Sequence, residues 1–270
     1  MNQQETIWLG QQGRNIVRKV MWICLYITTA LSLLITVGDM VFDLGVELRS
    51  LLNPTQNIYV LLTFIFGSLA LFSASIYFSD FQGTIEIKPT GFVDVFSLVW
   101  SRITMLGVFA IVCIMFYEVI SRYLFEAPTL WANEASLWIA GFVFLLSGLY
   151  TMQQRSHIRI YIIYDMFPRW LQKASDTFTV ILLWIFAIST IWGSYGEALD
   201  KFNRWEVFGT AWNPPIPGTL KAGILIIIFM VAVQATSNLI ADWHKAPEVH
   251  TPMDDIDESE IEHIRQSIKD

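Results

Sequence analysis

Six long apolar stretches, separated by polar connections, dominate the pattern along the chain. They cover about residues 20–38, 57–79, 103–123, 134–154, 177–199 and 219–241. At about 1.5 Å per residue, a helix over each stretch reaches across a hydrocarbon core about 30 Å thick. The pattern therefore predicts an all-α integral membrane protein, a bundle of six transmembrane helices.

The polar connections divide the chain into five segments. Residues 1–19 form a polar N-terminal segment, and residues 20–79 form a first hairpin of two spans. Residues 80–101 form a longer connection, residues 102–242 carry four further spans, and residues 243–270 form a tail. The first span is longer than the ~7–15 apolar residues of a signal-peptide core and lacks a cleavage pattern, so we read it as a transmembrane helix.

The connection at residues 80–101 contains an amphipathic repeat after the breaking sequence Pro89-Thr90-Gly91. Apolar residues follow helical spacing at Phe92, Val95, Phe96 and Val99, and polar residues lie opposite them at Asp94, Ser97 and Ser101. This pattern predicts a short amphipathic helix lying in the membrane interface. The alternative is that the third span begins early and includes these residues.

Composition agrees with a membrane protein. Hydrophobic residues make up 54% of the chain and charged residues only 15%, whereas about a quarter of an average soluble domain is charged. The net charge of −7 comes largely from the tail, because residues 245–270 hold eight acidic and three basic residues. The acidity is therefore mostly a property of the tail and not of the predicted bundle.

The distribution of lysine and arginine predicts how the helices are oriented across the membrane. With the N-terminus inside, twelve of the 17 basic residues fall in the inner segments and five in the outer ones. Basic connections are retained on the cytoplasmic side of a membrane. We therefore expect both termini in the cytoplasm.

Residues that would carry transport or redox chemistry are scarce in the spans. All nine prolines lie in connections or at predicted helix ends, so the discontinuous helices of a translocation pathway are not expected. No span contains a histidine that would ligate haem, and Cys24 and Cys113 indicate neither a disulfide nor a metal site. The sequence predicts no enzyme activity and no cofactor, and it leaves a stand-alone membrane anchor or carrier as an alternative.

Glu118 is the ionisable residue that lies well inside a predicted span. It precedes Arg122 by four residues, the favourable order for an ion pair on a helix, and Glu134 could share that pair across the next turn. Glu134 lies in the first turn of the fourth helix, where a carboxylate complements the helix dipole and Thr129 or Asn133 could provide a cap. Glu118 is thus interpreted as a structural ion pair, a contact with a partner subunit, or an ion-binding group.

The fourth span and the connection after it hold further candidates. Small residues recur on one side of the span at Ser136, Ala140, Ser147 and Thr151, with Gly141 and Gly148 beside them. Small residues let another helix approach closely, either from the same bundle or from another protein. Trp138 could face a partner or lipid. After the span, Arg155 and His157 lie among basic residues, which favours contact with anionic lipid or hydrogen bonding within the connection.

One ordered set of residues resembles a known family. The set comprises Arg122-Tyr123, a proline-containing turn, Trp131, Glu134, Trp138, Gly141, Arg155, His157-Ile158 and Phe167-Pro168. Its order and spacing resemble the small membrane subunit of tripartite ATP-independent periplasmic (TRAP) transporters over about residues 102–242. The family usually has an aspartate four residues after the histidine, where this chain has Tyr161.

The resemblance implies a function and a set of partners. It implies a subunit of the bacterial inner membrane that scaffolds a large, substrate-translocating membrane subunit. A periplasmic substrate-binding protein would deliver an organic acid for ion-coupled import, usually with sodium. Membrane lipids are the other expected contact, and no nucleic-acid partner is implied. Because the family usually has four spans, the hairpin at residues 20–79 is an addition that we expect to enlarge the contact with lipid or with the large subunit.

Overall fold

Helices form over the apolar stretches. The computed structural model describes residues 6–42, 52, 57–81, 83, 86–156, 164 and 166–245. The long helices in these ranges are α1 (Gly10–Phe42), α2 (Ile58–Ser79), α3 (Phe92–Leu124), α4 (Ala132–Gln153), α5 (Arg169–Asn203) and α6 (Ile216–Asp242). The described part of the chain contains no strand.

Each of the six helices is long and apolar enough to cross a membrane. Their outer surfaces carry large apolar side chains, such as Phe109, Phe144 and Trp192, which are 68%, 77% and 88% exposed. The interior holds polar side chains, among them the fully buried Ser75 and Gln234. This arrangement is the reverse of a soluble domain and suits a bundle surrounded by lipid. The predicted six-span all-α bundle is confirmed.

Local sequence sets several helix ends. Asn57 caps α2, and its side-chain oxygen accepts a hydrogen bond from the Tyr59 N–H at 2.9 Å. α5 begins directly after Pro168, and Pro217 lies in the first turn of α6, where proline's missing N–H has no helical partner to lose. Beyond the end of α4, Arg155 adopts a left-handed φ of 54° that turns the chain away from the helix axis.

Helices that are consecutive in the chain pair as hairpins, α1 with α2, α3 with α4 and α5 with α6. α6 also packs against α4 and α3, and α2 packs against α3. The centre of the bundle is therefore formed by α3, α4 and α6, with α1 and α5 at its margins. We call the end at which α1, α3 and α5 begin the near end, and the opposite end the far end.

α3 corrects the prediction of a separate interfacial helix before the third span. The chain runs as one helix over Phe92–Leu124, because no glycine or proline lies among residues 92–106 to interrupt it. The polar side of its first turns faces into the bundle: Asp94 and Ser97 are 2% and 1% exposed, whereas Phe92 is 83% exposed. The observed structure is the alternative, a third helix that begins early.

Two expectations fall outside the described residues, namely the acidic tail beyond residue 245 and the surroundings of His157. The division of the chain into five segments stays a prediction. The expected N-terminal hairpin is present as α1 and α2.

Candidate functional site

Glu118 lies on α3 toward the far end and is only 3% exposed. Arg122, one turn later, donates to Glu118 Oε1 from Nη2 at 2.5 Å and from Nε at 3.1 Å. The second oxygen, Oε2, accepts from the Thr129 N–H at 3.1 Å and from the Thr129 hydroxyl. The expected ion pair is therefore present, and its carboxylate also fastens α3 to the turn that precedes α4.

Glu134, in the first turn of α4, binds the connection between α5 and α6. Its Oε2 accepts from the Thr210 hydroxyl at 2.6 Å and from the Asn213 N–H at 3.0 Å. Its Oε1 accepts from the Trp212 N–H at 3.4 Å. The sequence suggested that Glu134 shares the ion pair of Glu118 with Arg122. Glu134 instead makes these hydrogen bonds, which tie the start of α4 to the segment before α6.

Trp131 lies at the start of α4 between two other aromatic rings. Its ring centroid is 5.9 Å from that of Tyr117 and 6.5 Å from that of Trp212. Trp131 is also the N-cap residue and makes no side-chain cap hydrogen bond. The prediction that Thr129 or Asn133 caps α4 is therefore wrong, and Thr129 bonds instead to the buried carboxylate on α3.

Tyr123 belongs to a group of exposed apolar residues at the far end, where α3 turns into α4. Tyr123, Leu124, Phe125 and Leu130 are between 70% and 76% exposed, and we call them the far-end patch. They lie at a helix end and in the following connection. Grouped exposed apolar residues of this kind mark contacts with protein or membrane.

Trp138 and Gly141 face α6 within the bundle. Trp138 Nε1 donates to Thr219 Oγ1 at 2.8 Å, so the indole nitrogen bonds to its own chain. The side chain remains partly exposed, and the expected contact with a partner or lipid stays a prediction. A Cβ added at Gly141 would lie 2.5 Å from Leu220 Cδ1, whereas one at Gly148 would meet nothing within 4 Å. The small-residue side of α4 thus packs against α6 at one glycine and is open at the other.

Arg155 and Arg169 together join three helix ends at the near end. Arg155 Nε donates to Asp242 Oδ2 at 2.6 Å, and it thereby connects the end of α4 to the end of α6. Arg169, at the start of α5, donates to the backbone carbonyls of Asp242 and Lys245 at 3.1 and 2.8 Å. Arg155 therefore forms an internal ion pair, while its sequence neighbour His157 lies outside the described residues.

Sequence reasoning missed the role of Asp80, which is fully buried at the near end. Its Oδ1 accepts the N–H groups of Ile7, Trp8 and Leu9 at 3.0, 3.0 and 3.1 Å. Its Oδ2 accepts from Arg14 Nε at 2.5 Å. Burial raises the pKa of Asp80, but these donors outweigh it and hold the pKa below the ordinary 3.8. Asp80 thus ties the chain before α1 to the end of α2.

A second missed group is centred on Glu86, in the connection between α2 and α3. Arg102 donates to both of its carboxylate oxygens, at 2.7 and 2.6 Å. The Tyr150 hydroxyl and the Gly83 N–H each donate to it at 2.9 Å. Burial acts to raise the pKa of Glu86, yet these hydrogen bonds and the arginine charge lower it to about 2. The group joins the connection to α3 and α4.

A third missed group lies between α3, α4 and α6. Gln234 Nε2 donates to Asp94 Oδ1 at 2.7 Å and to Asn238 Oδ1 at 2.8 Å. Gln234 Oε1 accepts from the Ser97 hydroxyl at 2.7 Å, and Asn238 donates to the Met152 carbonyl at 2.6 Å. The sequence signal was available, because glutamine and asparagine interrupt the apolar run of α6, but a search for ionisable residues alone passes over them.

The described structure defines a multi-pass α-helical membrane protein whose polar side chains connect helices to one another. Its ion pairs and amide groups lie mostly at the two ends of the bundle, where they hold helix termini and connections. Within the described ranges, no group of three or more His, Cys, Asp or Glu side chains could hold a metal ion.

Comparison with known families identifies the kind of membrane protein. The family model of tripartite ATP-independent periplasmic transporters, DctQ component, matches residues 111–245, which is half of the chain. The chain belongs to this family and is a small membrane subunit of a TRAP transporter. The match covers the last part of α3, from residue 111 onward, and all of α4 to α6, and it leaves α1 and α2 outside. No curated protein and no solved structure matches significantly.

Proposed function

We propose that this small subunit scaffolds the large, translocating subunit of its transporter and does not itself carry the substrate. The observation that supports this best is how the buried carboxylates are used. Asp80, Glu86 and Glu118 each bind an arginine of the same chain, and Asp94 accepts hydrogen bonds from Gln234 and Thr90. Carboxylates that are paired in this way stabilise the bundle, whereas an ion or substrate path needs charged groups that the solute can reach.

Helix continuity supports the same proposal. Among the described residues, prolines lie before a helix or in its first turn, at Pro89, Pro128, Pro168, Pro214, Pro215 and Pro217. Secondary transporters bind substrate and ions where helices are broken near the middle of the membrane. A bundle of continuous helices is better suited to supporting a neighbouring subunit than to transport.

The far-end patch is the surface that we assign to a partner. Its four residues are exposed and apolar, and they lie at the end of α3 and in the connection after it. In the proposed orientation, with both termini in the cytoplasm of a bacterium and the bundle in its inner membrane, this end faces the periplasm. The patch can therefore contact the outer part of the large subunit.

The finer parts of the proposal rest on family membership. In a TRAP system the substrate is delivered by a periplasmic binding protein, and we propose an organic acid imported together with sodium ions. The hairpin of α1 and α2 lies outside the family match. It is attached through α2 to α3, and Trp205 Nε1 also donates to the Leu52 carbonyl at 3.3 Å. We propose that it enlarges the contact with lipid or with the large subunit.

Co-purification and transport test the proposal together. Pull-down of the tagged chain from native membranes in mild detergent, followed by mass spectrometry, should recover one large multi-span subunit in equal amount. In proteoliposomes, uptake should require that subunit and the binding protein and should follow an inward sodium gradient. Uptake by the chain alone, or purification without a large subunit, would refute the scaffold function and favour a stand-alone carrier or anchor.

Substitutions in the far-end patch test the contact surface. Tyr123→Ser and Phe125→Ser should reduce recovery of the large subunit while the variants still elute as folded protein. Tyr195→Ser is the matched control, because Tyr195 is also exposed, at 58%, but lies on α5. Equal recovery from all three variants would show that the far-end patch is not the contact surface.

A further inference from the structure

An open groove of about 540 Å³ lies beside α5 at the near end of the bundle. Its walls are formed by Trp170, Lys173, Ala174, Phe178 and Ile181 of α5 and by Trp243 after α6. Apart from the lysine, these walls are largely apolar. Through Trp243, which directly follows Asp242, the groove adjoins the Arg155–Asp242 ion pair, and it lies at the opposite end of the bundle from the far-end patch.

The groove residues of α5 form one continuous stripe along the helix. Positions 170, 173, 174, 177, 178 and 181 follow spacings of three and four residues, which keeps them on one side of an α-helix. The first and last positions, 170 and 181, are eleven positions apart, so the stripe is about 16 Å long. That length is close to the depth of one leaflet, about half of a hydrocarbon core of ~30 Å.

A cation lies within the groove beside two tryptophans. Lys173 Nζ is 5.0 Å from the ring centroid of Trp243, a contact that holds the ammonium group against the ring face. Trp170 is 70% exposed and Trp243 is 39% exposed. Tryptophan pairs of this kind occur at the level of lipid headgroups, where the ring meets the acyl chains and the N–H meets polar groups.

Positive charge predominates among the described residues around this part of the near end. Of these, Arg155, Arg169, Lys173 and Lys245 carry four positive charges, and Asp176 and Asp242 carry two negative ones. Asp242 is already bound to Arg155 and Lys245, at 2.6 Å each, and Asp176 accepts from the Tyr164 hydroxyl at 2.7 Å. The electrostatic complement of the groove is therefore an anion.

We propose that this groove binds one anionic phospholipid of the membrane leaflet at the near end. The phosphate lies against the Lys173 ammonium group between the two indoles, and an acyl chain follows the α5 stripe past Ala174 and Phe178 to Ile181. The stripe selects a lipid over a small soluble anion, because an inorganic phosphate would leave its length unoccupied. The lysine selects an anionic lipid over a zwitterionic one.

Native mass spectrometry of the full chain tests this assignment. The purified protein is exchanged into detergent with equal amounts of phosphatidylglycerol and phosphatidylcholine that carry identical acyl chains, and the bound lipids are counted. The unsubstituted chain should retain one phosphatidylglycerol in preference to phosphatidylcholine. Lys173→Gln should reduce that preference about fivefold, the usual effect of one lysine near an anionic membrane surface, and Lys173→Arg should retain it.

Three further samples separate the alternatives. Lys19→Gln, an equal charge change at an exposed position of α1, should leave the preference unchanged. Ala174→Trp should fill the groove and reduce retention of both lipids, and excess inorganic phosphate should not displace the bound lipid. Equal preference in Lys173→Gln, displacement by phosphate, or cross-linking of residue 174 to another polypeptide in native membranes would each overturn the proposal.

Discussion

The ion pair of Glu86 with Arg102 allows a quantitative prediction, because both side chains are largely buried and Arg102 donates to both carboxylate oxygens of Glu86. The side chains of Arg102 and Glu86 are 6% and 11% exposed, and their closest atoms are 2.6 Å apart. Glu86→Gln removes the charge while it preserves the size of the side chain. The arginine is then left buried with a neutral partner, which is the costly way to break such a pair.

The structure sets the magnitude of this effect. The pKa of Glu86 falls from 4.5 to about 2 on folding, and this difference corresponds to about 3 kcal/mol of stability at neutral pH. Breaking one side of a buried pair costs a similar ~3–5 kcal/mol. Because the folded-state pKa is lowered, this stability is present above pH 4.5 and is lost as the pH falls toward 2.

Unfolding of the detergent-solubilised protein, followed by its elution profile after heating or denaturant, measures the effect. Glu86→Gln should lower the free energy of unfolding by about 3 kcal/mol at neutral pH. Glu206→Gln is the matched control. The Glu206–Lys201 pair has a similar distance of 2.8 Å, but its side chains are 34% and 21% exposed, and such pairs contribute below about 1 kcal/mol.

A double-mutant cycle makes the test specific. If the two groups act as a pair, Arg102→Gln should add little destabilisation to a chain that already carries Glu86→Gln. Stability within about 0.5 kcal/mol of the unsubstituted protein for Glu86→Gln, or full additivity of the two substitutions, would refute the reasoning.

Three further predictions concern other positions. Gly141→Val should lower the unfolding midpoint at a cost of about 1–3 kcal/mol, because its side chain meets α6. Gly148→Val should not lower the midpoint, since a Cβ there meets nothing within 4 Å. Equal midpoints for the two variants would contradict the described packing. Glu118→Gln and Arg122→Gln should both weaken stability or assembly. Glu118→Gln should have the larger effect, because the side chain of Glu118 is 4% exposed and that of Arg122 is 51% exposed. Normal assembly with loss of sodium dependence would instead assign Glu118 to the ion path. Asp80→Asn should speed amide hydrogen exchange at residues 7–9. In the unsubstituted protein the protection of these amides should persist until the pH falls below 3.8, because the pKa of Asp80 is lowered from that value. Unchanged exchange in the variant would show that the hydrogen bonds to Asp80 do not protect these amides.

The number and position of the helices could be predicted, because the length of an apolar run is set by the thickness of the membrane. The Glu118 ion pair could be predicted for a related reason: its two residues are one helical turn apart, so local geometry alone brings them together. Such inferences need no knowledge of how the helices pack.

Partners from distant parts of the chain could not be predicted. Asp80 and Arg14 are 66 residues apart, and Trp138 and Thr219 are 81 apart, so their contacts depend on which helices become neighbours. The prediction of a separate short helix before the third span was wrong for a similar reason. An amphipathic pattern indicates that one side of a helix is polar. In a membrane bundle that polar side can face the interior of the bundle instead of water.

The group of polar side chains around Gln234 has a consequence for how the protein is made. Gln234 follows Asp94 by 140 residues, and at about 5–20 residues per second a ribosome needs roughly 7–28 s to synthesise the intervening chain. During that interval Asp94, in the first turn of α3, already binds Thr90 through Oδ2, while the amide that will bind its Oδ1 has not yet been made. The contact between α3 and α6 is therefore among the last to form, and a chain arrested before α6 would leave Asp94 Oδ1 and the Ser97 hydroxyl without the Gln234 amide that binds them in the folded bundle.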